Sequence, residues 1–69
     1  MIFSIKDVFE NWIWCEFKAA SITEAINLFY LFCDNVNIPY HEEYHMQLIY
    51  RSEKIERTVI VEKMFYFEL

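Results

Sequence analysis

Apolar and polar side chains alternate at both ends of this chain of 69 residues, and a helical pattern separates the two alternating regions. Residues 2–6 fit a short strand, although Ser4 and Asp7 could instead cap a short helix that ends near Phe9. Residues 11–19 alternate with the period of two that indicates a strand. In that strand, one face would carry Ile13, Cys15 and Phe17, and the other face would carry Trp12, Trp14, Glu16 and Lys18.

A helix is predicted next, because residues 21–24 read S-I-T-E, the pattern of a capping box. The Ser21 hydroxyl would accept the backbone N–H of Glu24, and the Glu24 side chain would reach back to the backbone of Ser21. The helix is expected to run to about Asn35, before Pro39. Its inward stripe would be Ile22, Ile26, Phe29, Cys33 and Val36. The remaining circumference is also largely apolar, which favours burial on more than one side; it carries Leu28, Tyr30, Leu31 and Phe32.

Two further strands are predicted at residues 44–51 and 55–68, with a turn at residues 52–54. A helix over residues 39–51, with Pro39 at its first position, is the alternative for the earlier of the two. The inward sets would be Tyr44, Met46, Leu48 and Tyr50, and Val59, Val61, Phe65 and Phe67. The order β-β-α-β-β predicts an α+β fold: a single domain, residues 1–69, with a small antiparallel sheet and one helix packed on one face.

The predicted fold leaves more apolar surface than one copy can bury, because a single helix covers only one face of the sheet. The other face would expose Trp12, Trp14, Ile49, Ile60, Met64 and Tyr66, interleaved with Glu10, Glu16, Glu56, Glu62 and Glu68. Aromatic side chains among carboxylates are typical of protein-binding surfaces. The predicted contact residues are Trp12, Trp14, Glu16, Glu62, Tyr66 and Glu68. A homodimer is also expected, which would cover this face or the outer face of the helix, and a strand register that turns each set over is the remaining alternative.

Composition narrows the functional classes. The net charge is −5 and only six lysines and arginines are present, which argues against direct nucleic-acid binding. An acidic protein suits a basic partner, such as an enzyme groove that holds nucleic acid, although the charge could serve solubility alone. Glycine is absent, so phosphate-binding glycine loops are excluded, and Asn or Asp must occupy turns with positive φ. Two cysteines and the lack of a signal peptide or membrane span suggest a cytoplasmic protein with free thiols.

Residues 41–45 read HEEYH, which fits the zinc-protease pattern H-E-x-x-H. On a helix, His41 and His45 would share a face, with Glu42 as a base; on a strand, they stand about 13 Å apart. The strand pattern favours chance adjacency, with a zinc-dependent site as the alternative. Cys15 and Cys33 are assigned to the core as structural thiols. We therefore expect no catalytic residue, no metal and no cofactor.

The stretch K-A-A-S-I-T-E-A-I, residues 18–26, resembles the strand-to-helix joint of many small phage and mobile-element proteins. Several of those are inhibitors of bacterial defence nucleases, including anti-CRISPR proteins. The resemblance spans nine residues and transfers no functional residue. It implies a phage-encoded inhibitor or modulator that binds a nucleic-acid-handling enzyme, and a homo-oligomeric structural or accessory protein is the alternative.

Overall fold

The computed structural model describes residues 1–36, 43–51 and 58–66. They form four strands in one antiparallel sheet and one helix: β1 Ile2–Asp7, β2 Trp12–Lys18, α1 Ile22–Asn35, β3 Glu43–Arg51 and β4 Thr58–Tyr66. The spatial order of the strands is β2-β1-β3-β4. An α+β fold with one antiparallel sheet and one helix is thus confirmed. The alternative helices at Ser4–Asp7 and over residues 43–51 are wrong, because both segments pair as strands.

The connection between β1 and β2 shows how the chain turns without glycine. Asn11 has a φ of 56°, which lies in the left-handed region. Asn tolerates this region better than most residues, so the expectation that Asn or Asp replaces glycine in turns is met here. The Asp7 carboxylate supports the same turn, since its Oδ1 accepts the backbone N–H of Glu10 at 3.1 Å.

Local side-chain bonds define both ends of α1. Ser21 Oγ accepts the backbone N–H of Glu24 at 3.1 Å, as predicted. Glu24 Oε2 accepts the backbone N–H of Ala20 at 2.9 Å, so the return bond reaches one residue earlier than expected. At the other end, Asn35 Nδ2 donates to the carbonyl of Leu31 at 2.7 Å. No helix in the described part of the chain is long and apolar enough to cross a membrane.

The core lies between α1 and the two central strands. Ala25, Phe29 and Cys33 form the buried stripe of the helix. They pack against buried side chains of β1 and β3, namely Phe3, Ile5, Tyr44, Met46 and Leu48. Ile22 was expected in the stripe but is 42% exposed. The buried stripe begins instead at Ala25 and repeats every four residues. Fully burying an apolar side chain of this size contributes roughly 1.5–3 kcal/mol, so this cluster is the main source of stability.

Each edge strand contains a β-bulge, and the bulges change which residues face the helix. In β2, Ile5 lies opposite Cys15 and Lys6 lies opposite Ile13, so Trp14 is the extra residue. In β4, Leu48 lies opposite Val61 and Ile49 lies opposite Val59, so Ile60 is extra. An extra residue breaks the period of two, and side chains on its two sides then follow different parities.

The predicted faces are therefore correct on one side of each bulge and wrong on the other. Cys15 and Phe17 pack against the core as predicted, and Val61 and Phe65 do so in β4. Two predictions of inward residues are wrong: Ile13 is 40% exposed and Val59 is 47% exposed, both on the sheet face away from the helix. Three predictions of outward residues are also wrong. Trp12, Trp14 and Ile60 lie on the helix side.

Ile49 is on the face without the helix, as predicted, yet only 4% of it is exposed. It sits in β3, a central strand, with Ser4 beside it in β1 and Val59 beside it in β4. Neighbouring strands on both sides cover a residue more completely than one neighbour does. The burial of Ser4, which is 3% exposed, has the same origin. Phe67, also predicted to face inward, lies outside the described residues.

Candidate protein-binding surfaces

The structure divides the predicted contact residues between two faces of the sheet. Trp12 is opposite the buried Asp7, and Trp14 packs on the helix, so both lie on the helix side. Glu16, Glu62 and Tyr66 lie on the opposite, open face, where they pair with Ser4, Gln47 and Glu43. Glu68 is outside the described residues. The prediction of one continuous face is wrong, because the bulge at Trp14 turns the first half of β2 over.

The first candidate surface, the Trp12 surface, joins the edge strand β2 to one flank of α1. It consists of Trp12, Trp14, Leu28, Leu31 and Phe32. The rings of Trp12 and Trp14 meet edge-on with centroids 5.4 Å apart, and Trp14 meets Phe32 with centroids 5.9 Å apart. Leu28 precedes Phe32 by four residues and Leu31 by three, so helical spacing places all three together. Trp12 is 52% exposed and Leu31 is 58% exposed.

A buried carboxylate holds the tryptophan pair in place. Asp7 is 1% exposed, and its Oδ2 accepts the indole Nε1–H of Trp14 at 3.3 Å. Its Oδ1 accepts the backbone N–H of Glu10, which ties the turn before β2 to the same carboxylate. Trp14 is thereby held from one side by Asp7 and from another by Phe32, and Trp12 leans on Trp14. The half-exposed indole of Trp12 therefore packs against a side chain that is itself held in place.

The second candidate surface, the Tyr66 surface, occupies one end of the open face. It consists of Phe9, Glu43, His45, Glu62, Met64 and Tyr66. Glu43 pairs with Tyr66 and His45 with Met64 across the β3–β4 ladder. The Phe9 ring meets the His45 ring edge-on with centroids 6.0 Å apart. Phe9, Met64 and Tyr66 are each about half exposed or more, so apolar and aromatic surface lies beside carboxylates.

Several carboxylates are already engaged within the chain. Glu62 Oε2 accepts the side-chain N–H of Gln47 at 3.1 Å and lies 2.7 Å from His45 Nε2. These hydrogen bonds, first from Gln47 and then from His45, lower the pKa of Glu62. Glu16 forms an ion pair with Arg51 at 2.9 Å. Of the predicted contact glutamates, Glu16 is therefore neutralised in place and Glu62 keeps its charge among polar neighbours.

Only the last three residues of HEEYH are described. Glu43, Tyr44 and His45 belong to β3, while His41 and Glu42 lie outside the described residues. Tyr44 is buried in the core, and His45 contacts Glu62 and Phe9. Within residues 1–36, 43–51 and 58–66, no three His, Cys, Asp or Glu side chains are grouped to hold a metal ion. The helical arrangement that the zinc-protease pattern requires is absent at residues 43–45.

The two thiols are free and shielded. Burial raises the pKa of Cys33 to about 11, and burial also raises the pKa of Cys15. Thiols with raised pKa values are mostly protonated at neutral pH and are poor nucleophiles. Both cysteines pack with the core, which fits the structural role predicted for them.

The sequence analysis did not identify the supporting role of Asp7 or the exposure of Phe9. One signal was available: Asp7 stands four residues before Asn11, and both residue types mark turns. A turn at residues 8–11 puts Phe9 at its tip and Asp7 at its base. No family model matches the chain, and no curated protein or solved structure is significantly similar to it.

Proposed function

We propose that the protein is a non-enzymatic inhibitor or modulator that acts by binding another protein, with the Trp12 surface as the main contact. One observation carries the proposal: Trp12 is 52% exposed while its ring rests on Trp14, which Asp7 and Phe32 hold. Trp is among the residues that contribute most to binding free energy at interfaces. An anchor that is already ordered loses less conformational entropy when a partner covers it.

The partner we propose is a basic, nucleic-acid-handling bacterial enzyme, and the protein is proposed to be phage-encoded. The net charge of −5 supports a basic partner, because opposite charge speeds association and disfavours wrong partners. The resemblance of residues 18–26 to small phage proteins supports the defence-related assignment. Association should then slow markedly as salt is raised, since exposed charges are screened beyond roughly 10 Å at 0.1 M salt. An association rate that is insensitive to salt would remove the charge-steering part of the proposal.

Capture of partners from a bacterial lysate, followed by affinity measurement with the purified partner, tests the proposal. Trp12→Ala should weaken binding by about 30-fold or more, the effect expected of a residue that contributes about 2 kcal/mol. Val59→Ala is the matched control, because it also removes exposed apolar atoms but lies on the open face. Equal affinity of Trp12→Ala and the unchanged protein would contradict the Trp12 surface as the contact.

A homo-oligomeric structural or accessory protein is the second candidate. Leu28 and Leu31 are exposed on the flank of α1 that carries Phe32, and a second copy could cover them together with Trp12. Sedimentation over a range of concentrations separates the two functions. A dimer that Trp12→Ala dissociates, with no other protein captured, would favour the second candidate over the inhibitor.

A zinc-dependent site at HEEYH is the remaining alternative. It has less support, because His45 lies on a strand and its Nε2 is already 2.7 Å from Glu62. The zinc content of the purified protein, compared with that of His41→Ala, decides the matter. Zinc in a one-to-one ratio that His41→Ala abolishes would establish the site.

A further inference from the structure

We infer that the Tyr66 surface is a docking site for an arginine-bearing segment of a partner protein. This inference rests on the proposed protein-binding function, and it concerns a surface separate from the Trp12 surface. The two surfaces lie on opposite faces of one sheet, so one partner would have to wrap around the edge of the domain or two segments would bind.

The side chains at this end of the open face match the two parts of an arginine. Tyr66 is 66% exposed and Met64 is 48% exposed, which gives an aromatic ring and a thioether on which a guanidinium and its alkyl stem can pack. Glu43 lies directly opposite Tyr66 in the ladder. Side chains directly opposite in an antiparallel pair have Cβ atoms roughly 4.5–5.5 Å apart, so one guanidinium can reach both.

On the open face, charge favours a cationic ligand at this end. Arg51 forms an ion pair with Glu16. Lys63 forms an ion pair with Asp34 at 3.2 Å and also lies over the Tyr30 ring. In the described part of the chain, no lysine or arginine pairs with Glu43 or Glu62. Lys6, which is on the same face, lies opposite Gln47, about 13 Å along β3 from Glu43. The Tyr66 surface therefore keeps two carboxylates without a permanent cation.

Arginine suits the surface better than lysine, because its planar guanidinium stacks on aromatic rings and donates two parallel hydrogen bonds to a carboxylate. A second copy of this chain is a poorer occupant. Each copy carries a net charge of −5, and pairing this surface with itself would bring Glu43 and Glu62 of two copies together. The occupant we infer is therefore a positively charged segment of a different protein.

A peptide titration of the full chain tests the inference without knowledge of the natural partner. The ¹⁵N-labelled protein is titrated with an octa-arginine peptide at physiological salt, and with octa-lysine in parallel. We expect shifts centred on Glu43, His45, Met64 and Tyr66, and an affinity for octa-arginine at least about threefold higher than for octa-lysine. Tyr66→Ala and Glu43→Gln should each weaken octa-arginine binding by about threefold or more. Glu16→Gln, the same charge change at the far end of this face, should have less effect.

Two outcomes would overturn the inference. Shifts of equal size around every exposed carboxylate would show non-specific attraction. An octa-arginine affinity unchanged in both Tyr66→Ala and Glu43→Gln would show that this surface is not the site. Either outcome leaves the proposed function intact if Trp12→Ala still weakens binding of the natural partner. Loss of the Trp12 effect with retained peptide binding would instead point to failure of the Trp12 surface alone.

Discussion

The hydrogen bond from the Trp14 indole to the buried Asp7 carboxylate should contribute measurably to stability. Replacing Trp14 with Phe removes the Nε1–H donor and keeps an aromatic ring between Trp12 and Phe32. The carboxylate oxygen Oδ2 then loses its partner in a site where Asp7 is 1% exposed. A buried acceptor that loses its donor is destabilising, because it has already given up its hydration.

The magnitude follows from the geometry. A hydrogen bond to a charged group contributes about 1.5–3 kcal/mol, and the 3.3 Å distance and partial burial place this one near the lower limit. The smaller ring also buries less apolar area, at roughly 25 cal/mol per Å², which adds about 0.5 kcal/mol. The free energy of unfolding should fall by about 2 kcal/mol in total, and Tm by about 8–16 °C in a domain of this size.

A double-mutant cycle measures the bond itself. Asp7→Ala, which removes the acceptor, Trp14→Phe and the double variant are unfolded with urea and followed by far-ultraviolet circular dichroism. The two substitutions should be coupled by about 1.5 kcal/mol, since residues that share a hydrogen bond are non-additive. Loss of this support should also let acrylamide quench the fluorescence of Trp12 more readily in Trp14→Phe. Additive free energies, within about 0.3 kcal/mol, would refute the reasoning that Asp7 holds the tryptophan pair.

Three further predictions use single sites. Phe29→Ala should cost about 3–5 kcal/mol in urea unfolding because Phe29 is fully buried, whereas the exposed Leu31→Ala on the same helix should change stability by about 0.5 kcal/mol or less. Cys33 should be alkylated by iodoacetamide at pH 8 far more slowly in the folded than in the urea-unfolded protein, since burial raises its pKa to about 11; equal rates would contradict that burial. Gln47→Ala should raise the pKa of Glu62 in a carboxyl NMR titration, because the Gln47 hydrogen bond is the largest cause of its lowered value. A lowered folded-state pKa contributes stability above the unfolded pKa, and that contribution should disappear as pH falls through the folded pKa; an unchanged Glu62 titration would contradict this.

The elements themselves were readable from the sequence because their signals are local. The capping box at Ser21 and Glu24 begins α1, and the alternation in residues 11–19 and 44–51 indicates β2 and β3. Each signal depends on backbone geometry within a few residues, so no knowledge of the neighbouring strands was needed. The absence of glycine predicts Asn or Asp at left-handed turn positions, but the sequence prediction placed residue 11 in the strand, whereas Asn11 lies in the turn before it.

Only part of the candidate surfaces could be predicted from the sequence. A strict period of two carries Trp12, Trp14 and Glu16 to one face, and the bulge at Trp14 breaks that period. A bulge is set by how a strand pairs with its neighbour, which is a long-range property. A bulge in β4 likewise explains why Ile60 and Val59 lie on faces opposite to those predicted. As a result of the bulge in β2, Trp12 and Tyr66 lie on opposite faces of the sheet.

The sequence by itself determined the local elements, the acidic charge and the excess of aromatic side chains over what one small core can bury. Those are sums and short-range patterns, and they do not depend on which strands become neighbours. Only the tertiary structure decided that β2 and β4 are edge strands with bulges, that Asp7 is buried beneath Trp14, and that Glu16 is paired with Arg51. The pairing of β1 with β2 and β3, and of β3 with β4, creates these contacts, because it joins segments up to 49 residues apart, such as Ile2 and Arg51.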